Sequence, residues 1–309
     1  MKKKILIFSA ILFLSLISLA SVNLLSPVGP TLVSIVGILE DKVDSEVKID
    51  VAYWKSFDQI TAAIVTGSAD IIILPVTTGA ALYNKDIPIE LAAVTLWKGF
   101  YLVGKDVSVE NPADLAGMEI YTPQGKGQTG DVLSRNYVKK GNLVPDTDVK
   151  IKYSTPPEII GLLAQGKIKL AAIPEPFVTL SIIKAKAEIL VDFQEEWGQL
   201  TGYERIPITG VFVRKDSMKD KPQEIVEALN SIRKSIEYSA ENTQEAVKLT
   251  TNYFQGMPEA VLSQSMSRTT YEYVPASEIV DELVDYFERV QEIELNAMPE
   301  IPGEEFFAE

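Results

Sequence analysis

The sequence predicts an α/β protein of two similar lobes, and three observations predict it. The stretches "SFDQITAAIVTGSADIIILP" (Ser56 to Pro75) and "TPPEIIGLLAQGKIKLAAIP" (Thr155 to Pro174) share one pattern at a constant offset of 99 residues. The likeness extends outward with small shifts of register, through "VKIDV" and "VKIKY" and, further upstream, "LLSPVG" and "IYTPQG". After about residue 205 the chain offers one more strand, "ITGVFVRKD" (Ile208 to Asp216), and then long amphipathic helices instead of another α/β unit. Any parallel α/β chain reuses such phrases, so convergence is the competing account of the repeat. Two βαβαβ halves are the better reading.

Each copy of the repeat justifies its elements in order. A hydroxyl residue is followed three positions on by a capping partner, Ser56 with Gln59 and Thr155 with Glu158, the pattern of a reciprocal capping box. Apolar residues then recur at helical spacing (Phe57, Ile60, Ile64; Ile159, Leu162, Leu163) up to Gly67 or Gly166, which can take the left-handed turn that ends a helix. A short continuous apolar run follows, Ile71 to Leu74 and Leu170 to Ile173, as suits a strand covered on both faces, and a proline closes it.

Along the whole chain, strands are expected near 22–26, 47–52, 70–74, 89–95 and 98–104, with helices near 30–41, 57–66 and 77–84. A second lobe begins around Asp114, with a strand over Met118 to Thr122 and a helix over Thr129 to Lys140. "KPQEIVEALNSIRKSIEYSAEN" and "PASEIVDELVDYFERVQEI" are expected to return and cover the first lobe, and the acidic "MPEIPGEEFFAE" tail to be loosely ordered. The expected division is a signal peptide over 1–20, a discontinuous first lobe over 21–104 and 206–309 with the C-terminal helices, and a second lobe over 105–205. The chain then crosses between lobes twice, near 99–105 and 205–210, which makes a hinge.

At 309 residues, with 46% hydrophobic and 23% charged residues, the chain has the length and balance of two ordinary globular domains. Lys2, Lys3 and Lys4 precede an apolar run from Ile5 to Leu19 that ends in Ser18-Leu19-Ala20, the pattern of a cleavable secretory signal. That run is short for a membrane span, which takes about 20 apolar residues; an uncleaved anchor is the alternative. Removal of residues 1–20 takes three lysines and no acids, so the formal charge of −14 becomes −17. Such a chain repels nucleic acid and anionic membrane, and its charge also serves plain solubility. Any anionic ligand must therefore be captured locally.

The chain has no histidine and no cysteine. This excludes Ser-His-Asp and Cys-His nucleophilic sites and leaves no imidazole or thiolate for zinc. Carboxylate, lysine or tyrosine catalysis stays open, but no spacing singles out such a constellation.

The ordered set "GSADIIILP", "DLAGMEIYTPQGKGQTGDVL", "LLAQGKIKLAAIPEPF" and a helical C-terminal third after "VFVRKD" resembles the substrate-binding proteins of ABC importers in the nitrate, taurine and alkanesulfonate group, which includes binders of the pyrimidine precursor of thiamin. The resemblance covers nearly the whole chain beyond residue 20. It implies a type II periplasmic binding protein, two similar α/β domains joined by a two-strand hinge, closing on a small-molecule solute and delivering it to an ABC permease with its ATPase subunit. It further implies a monomer, secreted or periplasmic and soluble once the signal peptide is removed, with no catalytic role, no cofactor, no metal and no nucleic-acid partner. The chain departs from the family's second-lobe Gly-x-x-Asp, having Gly166-Lys167-Ile168-Lys169 in its place. The cysteine-rich motif of the fungal pyrimidine-synthesising relatives is absent too.

Ligands of open parallel sheets bind beyond the carboxyl ends of the strands. Those ends are Ser26–Thr31, Tyr53–Ser56, Pro75–Gly79, Pro123–Thr129, Ser154–Pro156 and Pro174–Phe177. Helix-start amides there would suit a carboxylate, sulfonate or phosphate. In "PQGKGQTGD", Gln124, Lys126, Gln128 and Thr129 offer donors beside flexible glycines, or the segment is an ordinary mobile connection; it lacks the ending of a phosphate-binding P-loop. Thr77 and Thr78 either cap a helix or turn to a ligand. Glu175, held between Pro174 and Pro176, either accepts a solute N–H or caps the next helix. Trp54 is a candidate for stacking on a flat ring, as are Trp97 and Trp197 near the crossings, against a competing role in hinge and core packing; Phe177 reads as core. A sulfonate-like anion and a pyrimidine-like heteroaromatic fit equally. The rival functions are a secreted enzyme on the same fold acting on a small heterocycle, and a solute-sensing receptor module.

Overall fold

The computed structural model describes residues 21–123 and 125–308. The signal-peptide reading of residues 1–20 and the candidate Gln124 lie outside the described residues.

The described residues begin with β1 (Ser21–Pro27), α1 (Leu32–Leu39), β2 (Lys48–Trp54), α2 (Phe57–Val65), β3 (Ile71–Pro75), α3 (Val76–Tyr83) and β4 (Ile89–Lys98). After Gly99 come β5 (Phe100–Gly104), β6 (Glu119–Thr122), α4 (Thr129–Lys140), β7 (Lys150–Tyr153), α5 (Pro156–Ala164), β8 (Leu170–Pro174), α6 (Phe177–Ala185), β9 (Glu188–Asp192) and α7 (Phe193–Thr201). The remainder is β10 (Thr209–Arg214), α8 (Lys215–Asp220), α9 (Pro222–Glu241), α10 (Thr243–Thr250), α11 (Glu259–Ser265), β11 (Thr270–Pro275) and α12 (Val280–Ile293).

Two sheets result, with orders β11-β4-β10-β3-β1-β2 and β7-β6-β8-β5-β9. Each contains a parallel trio, β2-β1-β3 and β7-β6-β8, followed by an antiparallel neighbour, β10 beside β3 and β5 beside β8. The repeat survives at the level of single backbone bonds. Val76 donates its N–H to the Ile208 carbonyl (3.1 Å), and Glu175, 99 positions on, donates to the Gly99 carbonyl (2.7 Å). Likewise Arg214 donates to the Asp70 carbonyl and Lys105 to that of Lys169, both at 2.9 Å. The two crossings are themselves paired: Ile206 and Ile208 donate to the carbonyls of Trp97 and Leu96, both at 3.0 Å, which is the two-strand hinge.

Gly67 and Gly166 end their helices with positive φ, 71° and 67°. The capping boxes differ from expectation. The side chains of Ser56 and Thr155 cap nothing. Instead Gln59 accepts the Lys55 N–H (2.8 Å), and Glu158 accepts the Ser154 hydroxyl. In both copies the acceptor side chain pairs with the residue one before the expected cap, through a backbone amide in the first and a side-chain hydroxyl in the second, which again preserves the offset.

Asp70 shows what the first copy has and the second lacks. Its buried carboxylate accepts from the Asn23 N–H (2.8 Å), the Ser217 hydroxyl (2.7 Å) and the Lys221 ammonium (2.8 Å), tying β1 and β3 to α8 and α9. Lys169, its counterpart, is exposed.

Three expectations for the C-terminal third are corrected. Strand formation does not stop at β10, because β11 pairs with β4 and becomes the first sheet's edge; Thr270 to Tyr273 alternate exposed and half-buried, the pattern of an edge strand, before the buried Val274. The helix α12 does not lie on the first sheet alone. Its Tyr286 packs on Trp197 of α7 at 5.5 Å, while its Phe287 meets Phe306 at 5.8 Å, so it braces both sheets. The tail is docked: Phe306 is 0% exposed among Tyr83, Phe212 and Phe287, and Ala308 donates its N–H to the Leu91 carbonyl (2.9 Å). Two aromatic rings outweigh the three acids around them, because burying such a ring stabilises by more than exposed carboxylates repel.

Phe306→Ala is expected to destabilise the protein by about 3–5 kcal/mol, measured by urea unfolding. Burial raises the Asp70 carboxyl pKa, but the Asn23 N–H, Lys221 and Ser217 more than offset this and hold it below its ordinary 3.8. Its stabilisation is therefore complete above that value and is lost as pH falls through the lower folded one. Urea midpoints of wild type and Asp70→Asn should differ by a constant amount between pH 5 and 7 and converge as the pH drops below about 4.

Candidate functional site

A cleft of about 1260 Å³ separates the two sheets. Residues from all six strand-end loops line it: Pro27–Thr31, Trp54–Lys55 and Pro75 from the first sheet, and Pro123 with Thr129, Tyr153–Pro157 and Pro174 with Phe177 from the second. The crossings contribute Leu96, Phe100, Ile208 and Thr209, and therefore form its closed back. A loop of the C-terminal third, Phe254 to Met257, completes one side, with Phe254 edge-on to Phe177 at 6.1 Å. No aspartate or glutamate lines the cleft among the described residues, in a chain that carries 43 acids against 29 bases.

Of the candidates, Trp54 and Thr129 line the cleft. The Trp54 indole N–H donates to the Ile73 carbonyl (3.0 Å) and the ring sits 5.9 Å from Phe57, so it has only apolar surface to offer a ligand. Thr78 and Gln128 are brought together, the hydroxyl donating to the amide oxygen at 2.6 Å, in a contact that joins the start of α3 to the start of α4 across the two sheets. Thr77 is buried and its hydroxyl has no hydrogen-bond partner. Lys126 points to the C-terminal segment, 3.2 Å from Glu294 and 3.9 Å from Asp146.

Glu175 is 2% exposed and fully engaged. It accepts the Thr179 N–H and hydroxyl, both at 3.0 Å, which caps α6, and it accepts the Arg268 Nε–H at 2.5 Å. The peptide bond to Pro176 is cis. The backbone carbonyl of Arg268 in turn accepts the Tyr101 hydroxyl (3.0 Å), so the segment before β11 is fastened to the second sheet at two points.

The helix-start amides are less available than their positions promise. Glu175 uses the Thr179 N–H at α6. Pro156 and Pro157 open α5 and have no N–H to give. In the glycine-rich loop, buried Asp131 takes the Gly127 N–H (2.8 Å). Gly127 also needs to be glycine on two counts, a φ of 82° and a Cβ that would stand 2.9 Å from the Ala297 Cβ. Asp131 is held by Arg135 at 2.9 Å, and Arg135 reaches Asp146 (2.9 Å) and Glu294 (3.4 Å). Tyr153, on the cleft wall, donates its hydroxyl to Asp131 (2.8 Å); burial raises its pKa and it stays a neutral donor. Trp97 and Trp197 are packing residues, the first 0% exposed beneath Arg205 (4.1 Å), the second 1% exposed.

Lys55, Lys184, Tyr153, Arg268 and the 254–257 loop escaped the sequence reading. Lys55 lies inside a loop already singled out, and Lys184 falls four positions after Leu180 and seven after Phe177, on the same face of α6. Nothing in the sequence ties Arg268 to Glu175, 93 residues away.

Among the described residues, no cluster of three potential metal ligands is present and no helix is long and apolar enough to cross a membrane. The paired parallel trios, the two crossings and the cleft between them define a type II periplasmic-binding-protein fold. An ABC transporter structure from Parabacteroides distasonis matches with a TM-score of 0.77 at 23% identity, over 94% of this chain and 99% of that one. The periplasmic aliphatic sulphonate binding protein of Escherichia coli matches with a TM-score of 0.74 at 16% identity, over 94% and 92% of the two chains. The periplasmic nitrate-binding protein of Synechocystis PCC 6803 gives 0.65 at 15%, over 89% and 80%. Among proteins with curated descriptions none matches by sequence. The chain belongs to the family described as NMT1/THI5 like, whose match spans residues 45–246.

Arg268→Met leaves the buried Glu175 carboxylate without its counter-ion and is expected to destabilise by about 3–5 kcal/mol, whereas Arg268→Met with Glu175→Gln should lose much less. Urea unfolding of the four proteins in the cycle measures the coupling.

Proposed function

We propose that this protein is the extracytoplasmic solute-binding subunit of an ABC importer, which closes its two lobes over a small organic anion or heteroaromatic nutrient and presents it to a permease and its ATPase. The observation that carries this reading is the cleft of about 1260 Å³ between two sheets connected by a pair of hydrogen-bonded strands. Such a joint lets two bodies rotate about a short axis with little loss of packing, and a ligand that touches both favours the closed state. The sulphonate-binding and nitrate-binding proteins with the same fold support the solute class, as does the family match.

The sequence divides the lobes after Gly104. We place the moving boundary at Gly99, because β5 hydrogen-bonds to β8 and β9 in the second sheet. On this proposal residues 21–99 move with the first sheet, residues 100–205 move with the second, and α12 with its flanking segments limits the swing. The protein acts as a monomer outside the cytoplasm, released by cleavage after Ala20, and performs no chemistry on its ligand. The residues proposed to touch the solute are Trp54 and Thr129, with Thr78 and Gln128 closing the edge; Lys126 and Glu175 serve the fold.

Native mass spectrometry of the protein purified from its own host tests the reading. An intact small solute, released on denaturation, is the expected result. A chemically altered ligand would turn the assignment to an enzyme.

A further inference from the structure

The cleft's charge is inverted relative to the chain. Lys55, at the end of β2, and Lys184, on α6, are the basic residues that line it, and neither ammonium is in an ion pair among the described residues. They come from opposite sheets, both are exposed, and no carboxylate among the described residues lines the cleft to balance them. Other cations nearby are compensated: Arg268 by Glu175, Arg135 by Asp131, Lys126 by Glu294. The back of the cleft is apolar, formed by Leu74, Leu96, Phe100 and Ile208, with Trp54 presenting only its ring. Some helix-start amides are missing or occupied: Pro156 and Pro157 have none to give, Glu175 takes that of Thr179, and Asp131 takes that of Gly127. An acid seated against that apolar back would lose its hydration to side chains that donate nothing, while an apolar body there gains burial.

We propose, resting on the receptor reading above, that the cleft takes an organic acid with a sizeable apolar body, ring or chain. The body lies inward against the crossing strands, and the acid group lies outward between Lys55 and Lys184. The two lysines repel each other as the lobes approach, and the acid removes that repulsion, so lobe closure depends on the charged end of the ligand.

Calorimetric titration of the purified protein with 2-naphthoate, 2-naphthamide and methanesulfonate tests this. The expected result is that 2-naphthoate binds at least about tenfold tighter than either of the others, and that Lys55→Met with Lys184→Met lowers its affinity about tenfold while leaving 2-naphthamide unchanged. Both lysines are exposed, and an unchanged melting temperature of the double variant shows that it is folded. Equal binding of acid and amide, binding of methanesulfonate as tight as that of 2-naphthoate, or a double variant that binds 2-naphthoate normally overturns the inference. So does a co-purified solute that is not an apolar-bodied acid, an outcome that leaves the receptor reading standing. No binding of any probe, together with no co-purified solute, counts against both.

Discussion

The structure depends on two backbone bonds, Val76 N–H to Ile208 and Glu175 N–H to Gly99. Each fixes the place where a strand, having ended at a proline, meets the chain arriving from the other sheet. Proline stops the ladder and the next amide restarts it with a crossing strand, so the same residue pair ends one lobe's parallel trio and anchors the connection to the other. The carboxyl ends of all six parallel strands consequently face one gap. The cleft is a result of topology before any side chain is considered.

Side chains then decide what the gap is like. The chain is strongly acidic, yet its acids near the cleft are turned into structural partners: Glu175 caps α6 and holds Arg268, and Asp131 folds the glycine-rich loop and holds Arg135. Buried carboxylates in these settings need a cation and several donors each. Meeting that need takes up Arg268 and Arg135 and the amides of Thr179 and Gly127. What is left is an apolar hollow with exposed ammonium groups.

Most of the fold was legible because it was written twice. The offset of 99 residues carried the helices, the buried strands, the terminating prolines and the loops that border the cleft. The helix Thr129–Lys140 was legible to the residue. The C-terminal third was read less well for the opposite reason: β11, α12 and the tail have no counterpart to compare, and their placement depends on partners distant in sequence, as Tyr286 does on Trp197. Site chemistry suffered similarly. A lysine in a flexible loop looks free until Glu294 is seen beside it, and Glu175 looks available until Arg268 arrives from 93 residues away.

The docked tail has a consequence for assembly. A chain made from its N-terminus completes the second sheet from one continuous stretch, whereas the first sheet needs β10 and β11, and its core needs Phe306. The element begun first is thus finished last. Until residues 306–308 have been made, Leu91 of β4 lacks the backbone partners that Phe307 and Ala308 supply, and the newborn polypeptide carries one mature half beside one that cannot yet lock.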